Sequence, residues 1–192
     1  MSNYRDNNKE SELVHSLVAG RESAYRQIID EYRDPILRLC RGFTGSADDA
    51  EDLAQDIFIE VFRSVSRFKA DSSLSTWIYR IAVNKSLNFI RDRNKIGHDD
   101  YYEAGDIGDS GNEDPADQQL IRKDHARALH QAIERLPENQ NTAFVLSKYE
   151  DMSYADIADI MQASVSSVES LLFRAKRNLQ KYLYDYYRKN MK

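Results

Sequence analysis

Apolar residues recur at intervals of three and four along most of this chain, and no segment shows the every-second-residue alternation with turn dipeptides that strands require. Leu13, Val14, Leu17 and Val18 predict a short amphipathic helix over about residues 8–19, stopped by Gly20. A second begins near Glu22 and carries Tyr25, Ile28, Ile29, Tyr32, Ile36, Leu39, Cys40 and Phe43 on one stripe. Pro35 is expected to kink or divide it, because proline lacks the backbone donor and clashes one turn back. Ser46 is a good N-cap for a third helix, whose inward set is Leu53, Ile57, Phe58, Val61, Val65 and Phe68. The segment 69–75 then breaks the pattern, since Asp71, Ser72, Ser73 and Ser75 favour caps and turns. A fourth helix, over about residues 76–93, turns Leu74, Ile78, Ile81, Ala82 and Phe89 inward.

Periodicity stops at residues 94–119, which hold Gly97, Gly105, Gly108, Gly111 and Pro115 and predict a flexible linker. Helical spacing resumes from Leu120 through Ala128, Leu129, Ala132, Ile133 and Leu136. Pro137 stops that run and can open the next helix, with Ala143, Phe144, Leu146 and Ser147. Ser153 with Asp156 forms a capping-box signal before a short helix carrying Ile157, Ala158 and Met161. A turn at 162–164 follows, and Ser166 with Glu169 gives a second capping signal for a longer helix with Val168, Leu171, Leu172, Ala175, Leu179 and Leu183 buried. A short helix, a tight turn and a longer helix make the helix-turn-helix pattern, although an ordinary helical hairpin shares it. The predicted fold is all-α, with two small helical domains and a linker between them.

Charge divides the chain more sharply than its net value of −5 implies. Residues 46–60 hold Asp48, Asp49, Glu51, Asp52, Asp56 and Glu60 and no Lys or Arg. Residues 61–95 reverse the sign, with Arg63, Arg67, Lys69, Arg80, Lys85, Arg91, Arg93 and Lys95 against Asp71 and Asp92. The linker is acidic, with eight carboxylates and no Lys or Arg over residues 96–121. The last 28 residues are basic again. Partners therefore have to be argued segment by segment.

On the third helix, Asp49, Asp52, Asp56 and Glu60 fall on a face away from the apolar stripe; a solvated surface is the simplest account of such a run. On the fourth, Trp77, Arg80, Asn84, Asn88 and Arg91 line one side at spacings of 3, 4, 4 and 3. That stripe joins an aromatic plate, guanidinium groups and amides, which stack on bases, grip phosphates and read base edges; Trp77 could equally complete the core. On the last helix, Ser167, Ser170, Arg174, Arg177 and Lys181 repeat the same spacing, with serines where bases would be approached and cations where phosphates would be met.

Cys40 is the only cysteine and lies in an apolar series, so it reads as a core residue and no disulfide framework is available. No apolar run spans a bilayer and the first ten residues hold no signal core, so a reducing cytoplasm is expected, without membrane insertion. A metalloenzyme built on Asp48, Asp49, Glu51, Asp52 and His98 would need inward Glu-x-x-His repeats on two helices, which are absent. No cofactor, metal site or catalytic group is therefore expected.

Three runs, DAEDLAQDIFIEVFRSVSRF, STWIYRIAVNKSLNFIRDR and LPENQNTAFVLSKYEDMSYADIADIMQASVSSVESLLFRAKRNL, occur in that order around an acidic linker. In this the chain resembles the sigma-70 family, and more closely the extracytoplasmic-function (ECF) sigma factors, which keep only the domains called region 2 and region 4. The resemblance implies region 2 over 10–93, a linker over 94–121 and region 4 over 122–187. It implies that Asp49, Asp52, Gln55, Asp56 and Glu60 dock on core RNA polymerase (beta and beta-prime subunits), giving the acidic face a partner. Ser72, Ser73, Ser75, Thr76, Trp77, Arg80, Asn84, Lys85, Asn88 and Arg91 would open and hold the minus-10 element of promoter DNA. Ser164, Ser166, Ser167, Ser170, Arg174, Arg177 and Lys181 would read the minus-35 element. An anti-sigma factor is implied as a further partner. The chain departs from the family in carrying Glu169 and Leu171 where basic residues are frequent, Asn141 where Arg is common, and Gln162 where glycine is common. A stand-alone helix-turn-helix regulator is the competing class, and it would leave the acidic helix idle.

Overall fold

The structure is a computed structural model that describes residues 2–96 and 116–190; most of the predicted acidic linker, and His98, lie outside them. The described residues form eight helices and one 3-10 turn. They are α1 (Ser2–Val18), α2 (Glu22–Thr44), α3 (Ala47–Ser64), the turn Val65–Arg67, α4 (Leu74–Ile96), α5 (Ala116–Glu134), α6 (Glu138–Tyr149), α7 (Tyr154–Met161) and α8 (Val165–Asn190). The all-helical expectation holds, and none of these helices is long and apolar enough to cross a membrane.

Pro35 does not divide α2, which runs unbroken from Glu22 to Thr44. An interior proline costs a helix about 3 kcal/mol. Here Ile28, Ile36, Leu39, Cys40 and Phe43 are all fully buried along the same helix, and that packing outweighs the lost hydrogen bond. Gly45 ends α2 in the left-handed conformation (φ 68°), its N–H bonded to Arg41 O. Ser46 caps α3 as predicted, its Oγ accepting from Asp49 N at 3.2 Å. At the far end, Ser64 Oγ bonds back to Glu60 O at 2.6 Å and the chain tightens into the 3-10 turn.

α4 starts two residues before the predicted boundary. Ser73 Oγ accepts from Thr76 N at 3.1 Å, and the Leu74 N–H is taken by Glu10 Oε1 of α1 at 2.6 Å. α5 likewise starts earlier than Leu120, at Ala116. Ser153 caps α7 by accepting from Asp156 N. Gln162 then turns the chain with φ +54°, the backbone that favours glycine, which gives a physical sense to glycine at this turn position. The second capping signal is misplaced by two residues. Ser164, and not the Ser166–Glu169 pair, caps α8: its Oγ accepts from Ser167 N at 3.2 Å, while Ser166 Oγ is hydrogen-bonded to Ser164 Oγ.

α1 to α4 form one bundle and α5 to α8 a second, and the two pack against each other. A continuous set of buried apolar residues runs from Leu17 in α1 to Leu179 in α8. Gly42 shows how closely they approach, because a Cβ there would lie 2.7 Å from Val145 of α6.

Candidate nucleic-acid interface

The predicted acidic face exists, but its members differ. Asp52, Gln55 and Asp56 are exposed. Asp49 and Glu60 lean toward α4, with Asp49 Oδ2 3.8 Å from Arg93 Nη1 and Glu60 Oε2 4.0 Å from Lys85 Nζ. Beside the exposed acids lies a groove of about 410 Å³ between α2 and α3, lined by Ile29, Leu37, Ala54, Phe58 and Ile59 with Arg33, Glu51 and Gln55 at its rim. Ile59 is 45% exposed. At 3.6 residues per turn, Gln55, Ile59, Asp52 and Asp56 are neighbours on one helix surface, so the apolar groove and the acids form one face. Sequence reading missed the groove. The signal was the triplet Ile57–Phe58–Ile59, three consecutive apolar residues that spread over about 200° of the helix, wider than the apolar stripe of a one-sided helix.

The segment before α4 is held at several points. Ala70 has a left-handed backbone (φ 57°), Ser72 Oγ lies 3.5 Å from Arg80 Nη1, and Ser73 and Thr76 hydroxyls are bonded at 2.9 Å. Ser75 is bonded to the Tyr32 phenol, whose pKa burial pushes up to about 12. Trp77 is half-buried and packs on Phe68, ring centroids 5.5 Å apart at 59°, so it both contributes to the core and keeps part of its surface open.

Further along α4, Asn84 and Asn88 are exposed, and the cations are engaged. Arg80 Nη2 donates to Asp159 O at 2.7 Å. Arg91 forks onto Glu138, Nη2 to Oε1 at 2.6 Å and Nε to Oε2 at 3.2 Å, and also donates to Asn88 Oδ1. Arg93 pairs with Glu134 and donates to Thr44 O at 3.2 Å. The predicted stripe is thus assembled on one helix, with Arg80 and Arg91 occupied by α7 and α6, and with Asn84 and Asn88 exposed although Asn88 Oδ1 accepts from Arg91.

All seven residues predicted on the last helix and its turn, Ser164, Ser166, Ser167, Ser170, Arg174, Arg177 and Lys181, are exposed. The serines gather at the α8 N-terminus, with Ser164 Oγ 2.8 Å from Ser167 Oγ. Phe173 shares that surface, 64% exposed with the Arg177 guanidinium 5.9 Å from its ring centroid. The run Leu171–Leu172–Phe173 hid it, since apolar residues next to a buried stripe read as core.

Between the bundles lies a polar junction that no periodicity reveals. The Glu150 side chain is 2% exposed; Arg38 reaches it through two bonds of 3.2 Å and the Tyr79 hydroxyl donates to it at 3.0 Å. Burial raises the Glu150 carboxyl above its ordinary value, opposed by Arg38 and Tyr79, and burial raises Glu134 against the pull of Arg93. His130 moves the other way, down to about 4, because burial and then Arg93 disfavour its charged form, against a hydrogen bond with the Thr44 backbone. Burial pushes the Cys40 thiol up to about 12, which suits an inert core residue. Among the described residues no three His, Cys, Asp or Glu side chains converge as metal ligands would.

Comparison with known proteins gives a consistent result. Residues 28–96 match Sigma-70 region 2, and residues 126–179 match Sigma-70, region 4. The RNA polymerase sigma-H factor of Pseudomonas aeruginosa is 34% identical over 181 residues, covering 91% of this chain and 94% of that protein. The ECF RNA polymerase sigma factor SigW of Bacillus subtilis is 30% identical, covering 90% of this chain and 95% of its own. Among solved structures, CnrH in complex with the cytosolic domain of CnrY superposes with a TM-score of 0.64 at 19% identity, covering 92% of this chain and 97% of that one. The sigma factor RpoE from Bartonella quintana, solved with the anti-sigma factor NepR, gives 0.60 at 22% identity, covering 83% and 96%.

Proposed function

This chain belongs to the sigma-70 family, in its extracytoplasmic-function branch, and we propose from its geometry how it performs the work of a promoter-directing sigma factor. It binds core RNA polymerase and directs initiation at particular promoters. The relatives it matches are sigma factors, which are not enzymes, and the mechanism derived below needs no bond chemistry.

Residues 10–93 serve as the unit that docks on polymerase and captures the minus-10 strand, residues 94–121 as the connection, and residues 122–187 as the minus-35 reader. The observation that carries this division is the segregation of surfaces. Asp52, Gln55 and Asp56 beside the Ile29–Ile59 groove make an acidic, apolar-centred face, which suits a basic amphipathic helix of the polymerase beta and beta-prime assembly; Asp49 and Glu60 extend it toward α4. The opposite charge lies on α4 and α8.

Opening a duplex costs a few kcal/mol per displaced base, and capture of that base supplies the offset. Trp77, half-buried, offers the open part of its ring for stacking, which contributes about 1 to 3 kcal/mol per base. Ser72, Ser73, Ser75 and Thr76 supply hydroxyls around the turn. Arg80, Lys85 and Arg91 take phosphates, and Asn84 and Asn88 contact base edges. On α8, Ser164, Ser166, Ser167 and Ser170 approach bases in the major groove while Arg174, Arg177 and Lys181 hold the backbone. Tethering both readers to one polymerase raises the effective concentration of the second after the first has bound. The two structural neighbours were solved with CnrY and with an anti-sigma factor, and an anti-sigma partner is proposed for this chain as well.

The docking assignment is tested by the double reversal Asp52→Lys/Asp56→Lys. Both side chains are exposed, so helicity by circular dichroism stays at the wild-type level while capture of core polymerase falls by at least tenfold. Undiminished capture by the folded variant overturns the docking face.

A further inference from the structure

The hydroxyls and the indole assigned to strand capture hang on the first turn of α4, and that turn is held from outside its own sequence. A helix start leaves its first N–H groups without intrahelical partners. Ser73 answers one of them locally by accepting from Thr76 N, and the first backbone bond of the helix runs from Trp77 N to Ser73 O at 3.1 Å. The Leu74 N–H is answered from 64 positions upstream, where Glu10 Oε1 of α1 accepts it at 2.6 Å. Leu74 is 3% exposed, so little water can replace that carboxylate. A second outside hold comes from α2, whose buried Tyr32 phenol meets Ser75 and lies within electrostatic reach of Glu10.

Between these anchors and Phe68, the segment 69–73 is largely exposed and includes the left-handed Ala70. Anchored at both ends, it presents its hydroxyls in one arrangement. Released at one end, it has to be ordered when the strand arrives, and the cost of ordering is subtracted from binding. Glu10 is also a half-buried acid beside a surface assigned to phosphates, where its charge opposes the strand. Its bond accounts for its presence: a carboxylate makes a strong, charge-assisted acceptor and suits the positive end of a helix. α1 precedes residues 28–96, which match Sigma-70 region 2, so this bond ties an element outside that match to the helix that holds the strand.

We propose, resting on the assignment of residues 72–77 to strand capture, that Glu10 is a positioning residue for promoter opening. Its carboxylate, delivered by α1, fixes the first turn of α4 and with it the angle at which Ser72, Ser75, Thr76 and Trp77 meet the displaced strand. Glu10 itself touches no DNA.

The test compares Glu10→Ala, Glu10→Gln and Glu12→Ala in the full-length protein bound to core polymerase, on a duplex fragment carrying a start mapped by run-off transcription. Opening is read by permanganate reactivity of thymines upstream of the start, and the free proteins are compared by hydrogen exchange over residues 72–77. Glu10→Ala is predicted to lower the reactive fraction at least fivefold and to speed exchange at least tenfold, with capture of core polymerase within twofold of wild type. Glu10→Gln keeps an acceptor of the same length and is predicted to retain opening within twofold. Glu12→Ala removes the same charge from an exposed position on α1 and leaves opening at the wild-type level. A merely structural contribution would lower core capture along with opening and would not be rescued by glutamine. Wild-type opening by Glu10→Ala, failure of Glu10→Gln to rescue, or an equal loss in Glu12→Ala overturns the proposal. Should Glu10→Ala fail to fold by its thermal melt, Glu10→Asp, one methylene shorter, carries the same prediction. Ser72→Ala/Asn84→Ala separates the two claims. If that variant loses opening and Glu10→Ala does not, the positioning role alone fails; if it opens DNA like wild type, the strand is held elsewhere and the positioning role fails with the assignment beneath it.

Discussion

His130 lies 3% exposed beneath the corner between α2 and α3, and its ring closes on Gly45. A Cβ at position 45 would sit 2.2 Å from His130 Cδ2, and the backbone there has φ +68°. A left-handed backbone alone costs an alanine about 1 to 2 kcal/mol, and the clash adds to it. Gly45→Ala is therefore predicted to destabilise the protein by more than about 2 kcal/mol, read as a fall in Tm of roughly 4 to 8 °C. His130 itself predicts a pH dependence. Its folded value of about 4 lies below its ordinary 6.5, so the contribution is fully present above pH 6.5 and is lost as pH falls toward 4. Complete loss would amount to roughly 3 kcal/mol. Glu134 and Glu150 are raised, which has the opposite sign: their burial costs stability at neutral pH, and that cost is relieved on acidification. Thermal melts between pH 7 and 5 should thus show a decline that His130→Gln flattens; an unchanged decline would assign it to other groups. At this scale the caps Ser46 and Ser153 were legible because N-capping is local chemistry. Ser164 was not, because three serines within four positions could each have served and only the geometry of the turn chooses among them.

α3 shows what an element's sequence reveals and what it conceals. Its acids were legible as a face because a helix sorts residues by angle, and its core because Leu53, Ile57 and Val61 repeat at four-residue steps. The groove beside the acids depends on where α2 lies, which no periodicity of α3 contains. Ile59 is the sharper probe of that groove, since it is exposed and adjoins Gln55. Ile59→Glu is predicted to leave the melting temperature within about 2 °C of wild type, as surface changes do, and to weaken the affinity for core polymerase by at least tenfold. Wild-type affinity would show that the acids dock alone. α2 corrects the reading in another way: a proline rule that holds for isolated helices yielded to a stripe of buried side chains on both sides of Pro35.

Across the whole molecule, the all-helical fold, the two bundles and the opposed charges followed from spacing and sign. The packing of one bundle on the other did not. Tyr79 and Val83 stand at α4 positions that a lone bundle would leave half open, yet both are buried, and Tyr79 donates to Glu150 from the other bundle. Asn141 is buried too, its Nδ2 donating to Ile133 O inside the second bundle. The Tyr79–Glu150 contact joins residues 71 positions apart and leaves no periodic trace in either segment.

The central claim is that this chain gives core polymerase the power to choose its starting points. It is tested most directly by run-off transcription of genomic fragments with core enzyme, with and without the protein, mapping the 5′ ends of the transcripts. Discrete starts that depend on the protein and share two upstream elements are predicted. Indistinguishable transcript ends in the two reactions would contradict it.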